Sequence, residues 1–206
     1  MGKREKSEAT LSQSAVSLVL PPSLYLGPRS AASSKAFLTA NSVSHVLNVG
    51  SSPADKVEGV TYHRISLSDS PTSSISKVCD PACEIIDAAL KSNNGMGKVL
   101  IHCSADISRS PMIVAAYLMK RHKMSLKAAL RQIIQVRPQI SPNPGFLQQL
   151  KELEMELFGI VSLDVDELPK REKDRLALFE EAPAPAEAAA PATNPTAGRA
   201  PPIATL

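Results

Sequence analysis

Residues 98–123, "KVLIHCSADISRSPMIVAAYLMKRHK", constrain the fold more than any other part of the chain. "KVLIH" is a short apolar run of the kind found in a strand covered on both faces. "SPMIVAAYLMKRHK" reads as a helix, with Ser110 near its cap and Pro111 in its first turn. Only a short polar loop separates the two. A buried strand running almost directly into a helix requires a sheet with helices packed on it.

The rest of residues 16–158 agrees with that demand. "AVSLVL", "SLYLG", "HVLNVG" and "VTYHRISL" read as short strands rich in β-branched and aliphatic residues. "SSKAFLTAN" and "SISKVCDPACEIIDAALKSN" read as helices, the second broken by "NNG" despite tolerating Pro81. "SLKAALRQIIQVR" opens on Ser125 as N-cap. "NPGFLQQLKELEMELFG" opens on Asn143 or Ser141, with Pro144 just inside. The expected fold class is α/β: one layered domain with a central mixed sheet flanked by helices.

Composition sets the limits of that domain. "EAPAPAEAAAPATNPTAGRAPP" offers few side chains large enough to bury, so it cannot offset the entropy of ordering. The expected organisation is a flexible segment over 1–15, a folded domain over 16–160, and a tail over 161–206, charged first and then Ala/Pro-rich and disordered. "LPKREKDRLALFEE" can form a short charged helix within that tail, which is a candidate docking segment for a partner. Residues 161–206 hold five Lys/Arg against eight Asp/Glu, a balance of −3, while residues 1–160 hold eighteen against twelve, a balance of +6. Mild basicity suits an anionic substrate and is too weak to argue for nucleic acid.

Three cysteines do not make a disulfide framework, so Cys79, Cys83 and Cys103 read as thiols of a reducing compartment, cytoplasmic or nuclear. No apolar run is long enough for a membrane helix. The chain starts Met-Gly, but Lys6 stands where a myristoylation pattern needs Ser or Thr. Cys79 and Cys83 read as buried structural thiols rather than a metal site. His45, His63 and His122 are scattered, Lys120, Arg121 and Lys123 complement a helix dipole, and Met112 to Met119 reads as core. Arg137 is most simply a helix-end residue. Nothing in the sequence calls for a metal or a cofactor, and nothing fixes the oligomeric state.

The chemistry lies in "HCSADISRSP". At a strand-to-helix junction, backbone N–H groups can converge and the helix dipole adds partial positive charge. Such a nest holds a tetrahedral oxyanion, and here it spans Ser104, Ala105, Asp106, Ile107, Ser108 and Arg109. The guanidinium of Arg109 can add two parallel charge-assisted hydrogen bonds, which a lysine could not. Dipole and arginine both favour the thiolate of Cys103, a nucleophile placed beside the bound group. Asp69, in "SLSDSP", is a candidate general acid. Ser110 is placed to stabilise the departing thiolate, and His102 to orient rather than to act as base.

"HCSADISRSP" resembles the Cys-x5-Arg signature of the protein tyrosine phosphatase superfamily, and its Ser-Arg-Ser ending resembles the dual-specificity branch. "SLYLGPRSAA", "HVLNVGSS", "RISLSDSP" and "PNPGFLQQL" are similar to the segments that accompany that signature, in the same order, across roughly 16–158. The resemblance implies a small atypical member acting on phosphotyrosine and phosphoserine/threonine of proteins, without metal. It also implies a cysteinyl-phosphate on Cys103, with Asp69 first protonating the leaving oxygen and then activating water.

One residue departs from the pattern. Asp106 stands where the family usually has Gly, at a position needing positive φ. A carboxylate facing inward would oppose the thiolate and repel a phosphate dianion, whereas one facing solvent would be screened. Two alternatives to an active protein phosphatase follow. One is a phosphate-binding pseudophosphatase scaffold. The other is a phosphatase for a phosphoinositide, an RNA 5′-phosphate or a phosphoglucan.

Overall fold

The structure, a computed structural model, describes residues 16–50, 52 and 55–180. The expectations for 1–15 and for the Ala/Pro-rich tail from 181 lie outside the described residues. Among the described residues there are five strands: β1 (Ser17–Leu20), β2 (Leu24–Gly27), β3 (His45–Val49), β4 (Thr61–Ile65) and β5 (Val99–His102). They form one sheet in the order β1-β2-β5-β3-β4. β1 runs antiparallel to β2, and the other neighbours are parallel. The sheet is therefore mixed, with β5 at its centre.

Burial follows the period-two alternation of a strand covered on both faces. Val99 and Ile101 of β5 join Leu24, Leu26, Leu47 and Val49 in the larger core. Leu100, between them, points the other way and packs with Tyr25, Val46 and Leu38. The smaller core is covered by α1 (Lys35–Ala40). The larger one is covered by α2 (Ser76–Gly95), α3 (Arg109–His122), α4 (Leu126–Val136) and α5 (Pro144–Phe158). α3 is the central helix, buried without a break from Ser110 to Met119.

The caps follow the sequence closely. Ser125 Oγ accepts from Ala128 N and Asn143 Oδ1 accepts from Phe146 N, so Asn143 rather than Ser141 caps α5. α2 is interrupted where "NNG" stands, with Asn93 and Asn94 at φ of 50° and 57°. Cys79 and Cys83 lie buried on α2, and burial pushes their thiols up to about 12 and about 11. No helix among the described residues is long and apolar enough to cross a membrane.

The boundary expected at 160 falls too early. Glu154, fully buried on α5, accepts from Leu126 N, Ser162 N and Ser162 Oγ, and so ties the chain after α5 to the start of α4. Leu163 and Leu168 then enter the core. A further helix, α6 (Glu172–Phe179), packs on α4 through the buried Phe179. Arg175, also buried, donates to the carbonyls of Pro138, Pro169 and Lys170. The segment 161–180 thus belongs to the domain. Its anchors are single apolar residues spaced among charges, too sparse to stand out as periodicity. Phe179→Ala should lower the unfolding free energy by about 3 kcal/mol, as truncation of a core aromatic does, and urea denaturation would measure it.

Candidate active site

Parallel strands bring their carboxyl ends to one edge of a sheet, and ligand sites form there. Here β5 ends at His102 and delivers Cys103, β4 ends at Ile65 and leads to Asp69, and β3 ends at Val49 and leads to Gly50. All three loops meet around Arg109, the first residue of α3. Arg109 Nη1 donates to Leu67 O at 3.4 Å, and Nη2 donates to Ser104 Oγ at 3.0 Å. Gly50, at φ +83°, lies so close that a Cβ would collide with Arg109 Nη1 and Leu67 O. Glycine is therefore required beside the guanidinium, both for the turn and for the space.

The loop 103–108 is held by its carbonyls. Cys103 O accepts from His102 Nδ1 at 3.1 Å, which places the hydrogen of that fully buried ring on Nδ1. Asp106 O accepts from Arg137 Nε at 3.3 Å, Ile107 O from Ser141 N at 2.8 Å, and Ser108 O from Met112 N at 3.1 Å. Burial lowers the His102 pKa, so the ring stays neutral and orients the loop. Ser104, Ala105 and Ile107 are exposed at the rim, while Cys103, Asp106 and Ser108 are buried. Ser108 occupies the N-cap position of α3, but its hydroxyl donates to Asp69 instead of capping.

Asp69 is fixed from three sides. Its Oδ1 accepts from Ser108 Oγ and from Asn143 Nδ2, each at 2.8 Å, and its Oδ2 lies 3.8 Å from Arg109 Nε. The side chain remains 41% exposed, open to a ligand at the mouth. α5 holds the loop that carries it. Gln149 accepts from Ile75 N and donates to Ser73 O, and a Cβ on Gly145 would collide with Pro71. Asn143, Gly145, Gln149 and Gly50 all shape the site, and the sequence reading gave none of them that role. Asn143 was legible only as a cap, because its second partner lies 74 residues away.

Cys103 Sγ and Ser110 Oγ stand 3.2 Å apart, so the expected partnership is present. Asp106 faces neither the solvent nor an empty cradle. It is fully buried at φ +58°, with Oδ1 2.6 Å from Ser110 Oγ, which donates to it, and Oδ2 2.5 Å from Arg137 Nε. The single Nε hydrogen of Arg137 is spent on Asp106 O, so Oδ2 receives charge without a hydrogen bond. Arg137 is only 4% exposed. Arg137 stands at the end of α4, where the sequence places it, and is also the buried counter-charge of Asp106, 31 residues away in the chain. Burial pushes the Asp106 carboxyl up to about 7, against the opposing pull of Arg137 and of the Ser110 hydrogen bond. Among the described residues no cluster of three or more His, Cys, Asp or Glu could hold a metal ion.

A cysteine at the base of an oxyanion-binding loop, reached by an arginine from the next helix and an acid from a neighbouring strand end, defines the cysteine-dependent phosphatases. Comparison with known proteins narrows the class. A family model for the dual specificity phosphatase catalytic domain matches residues 24–156, and the chain belongs to that family. It is 40% identical over 136 residues to dual specificity protein phosphatase 1 of Arabidopsis thaliana, covering 65% of this chain and 67% of that one. It is 36% identical over 157 residues to human dual specificity protein phosphatase 18, covering 76% and 79%. Among solved structures it resembles human DUSP28, with a TM-score of 0.63 and 30% identity over 69% of this chain and 95% of the other. It also resembles a mouse putative dual specificity phosphatase complexed with zinc tungstate, with a TM-score of 0.66 and 28% identity over 76% and 96%. The protein is a small dual specificity phosphatase.

The raised Asp106 pKa has a consequence for stability. Between the unfolded value near 4 and the folded value of about 7, the native state binds the proton that the unfolded state has lost. This contribution is fully present below pH 4 and lost as pH rises through 7. Against Asp106→Asn, which cannot titrate, wild type should lose on the order of a few kcal/mol of relative unfolding free energy between pH 4 and pH 8. Paired denaturant titrations across that range would read the difference.

Proposed function

We propose that Cys103 is the nucleophile of a two-step hydrolysis of phosphotyrosine and phosphoserine/threonine in proteins, with Asp69 as acid and then base. The observation that carries this reading is the convergence of Cys103, Arg109, Ser110 and Asp69 at one sheet edge, with Asp69 tethered to the loop through Ser108. Tungstate, in the complex of the mouse neighbour, is a tetrahedral oxyanion like phosphate, and a loop of this shape suits the same geometry.

In the first step Cys103 Sγ bonds to phosphorus as the bond to the leaving oxygen breaks. Asp69, protonated, gives its proton to that oxygen. Arg109 and the loop N–H groups stabilise charge on the equatorial oxygens of the transferring group. In the second step water adds to phosphorus and passes a proton to Asp69, while the S–P electron pair returns to sulfur. The Ser110 hydroxyl, 3.2 Å from Sγ, stabilises that thiolate. His102 takes no proton in either step. The free thiols Cys79, Cys83 and Cys103 suit a reducing compartment, and a cytoplasmic or nuclear location is part of the same proposal.

Hydrolysis of a small aryl phosphate in the presence of a chelator tests the assignment. Cys103→Ser should abolish turnover, and Asp69→Asn should lower kcat by about a hundredfold or more, as loss of a general acid does. Full turnover by Cys103→Ser would overturn the reading.

A further inference from the structure

Ser110 has one hydroxyl hydrogen and two partners. Its Oγ lies 3.2 Å from Cys103 Sγ and 2.6 Å from Asp106 Oδ1. The hydrogen can serve one of them at a time. When Asp106 is a carboxylate it has no hydrogen to offer, and the short O–H···O⁻ bond holds the Ser110 hydrogen away from sulfur. When Asp106 is a carboxylic acid it donates to Ser110 Oγ, and the Ser110 hydrogen is released toward sulfur. Both carboxyl and hydroxyl are fully buried, so water does not relieve the competition.

We infer that Asp106 is a positioning residue for the second half of the reaction: by taking or yielding the Ser110 hydroxyl, it governs how readily the Cys103 thiolate leaves phosphorus. The inference rests on the two-step reading above. The step concerned is hydrolysis of the cysteinyl-phosphate. Water oxygen bonds to phosphorus, its proton goes to the Asp69 carboxylate, the S–P bond breaks, and its electron pair stays on sulfur. A sulfur that receives a hydrogen bond leaves more readily than one that does not.

Both states of Asp106 are accessible near neutrality. Burial raises the carboxyl to about 7 while Arg137, from the end of α4, favours the ionised form. Cys103 lies one hydroxyl away, and Arg109 and Asp69 pair with each other across Ser108. The position therefore acts as a brake that engages as pH rises. The phosphoenzyme forms through Cys103, Arg109 and Asp69, but breaks down slowly when Asp106 is ionised.

Stopped-flow hydrolysis of an aryl phosphate at pH 6 and pH 8 separates the steps. At pH 8 wild type should release a burst of about one equivalent of aryl alcohol before slow turnover, the mark of an accumulating covalent intermediate. The slow phase should fall by about tenfold from pH 6 to pH 8, following the protonated fraction of a group titrating near neutrality. In Asp106→Asn, whose amide can donate to Ser110 and cannot ionise, that fall should vanish. In Ser110→Ala the slow phase should sit low at both pH values. Wild-type turnover without a burst at pH 8, or a fall that persists in either variant, overturns this inference alone. Absence of both burst and turnover in wild type overturns the phosphatase reading and this inference together.

Discussion

A loop that presents its N–H groups to an anion cannot use them to hold itself together, so its carbonyls must be satisfied from outside. The loop 103–108 has such support from outside. The carbonyls of Cys103, Asp106, Ile107 and Ser108 are pinned by His102, Arg137, Ser141 and Met112 respectively. Those partners come from the end of β5, the end of α4, the segment leading into α5, and α3. α3, α4 and the entry to α5 therefore do more than bury apolar surface. The position of each decides whether one particular carbonyl of the loop has a donor.

Arg137 shows how such a frame alters the meaning of a residue. A buried guanidinium needs a counter-charge, and a buried carboxylate needs the same. Glycine at position 106 would supply the positive φ without supplying a charge. Aspartate supplies both, and couples the backbone bond from Arg137 Nε to an ionic contact with the same residue. The departure from the family pattern is thus built into the support of the loop, rather than added to its exposed rim.

The strands, helices and caps were legible because they rest on local rules. "KVLIH" declares a buried strand through four residues, and Asn143 declares a cap through its own turn. The thiol and the arginine of the loop drew notice because such a pair, with five residues between them, has few other uses at a strand-to-helix junction. What stayed hidden depends on distance along the chain. Asn143 reaches Asp69 across 74 residues, Arg137 reaches Asp106 across 31, and Glu154 reaches Leu126 across 28. No periodicity records such pairs, and a single sequence offers only the residue type. The same holds for Phe179, whose burial depends on a groove made by α4.

The attachment of the acid-bearing loop to α5 has a kinetic consequence. Asn143, Gly145 and Gln149 fasten that loop at Asp69, Pro71, Ser73 and Ile75 before any substrate arrives. Many phosphate-handling enzymes swing a lid over the ligand, and the swing sets their pace. Here Asp69 is already held in place. A loop tied in this way has little swing left for solvent viscosity to slow.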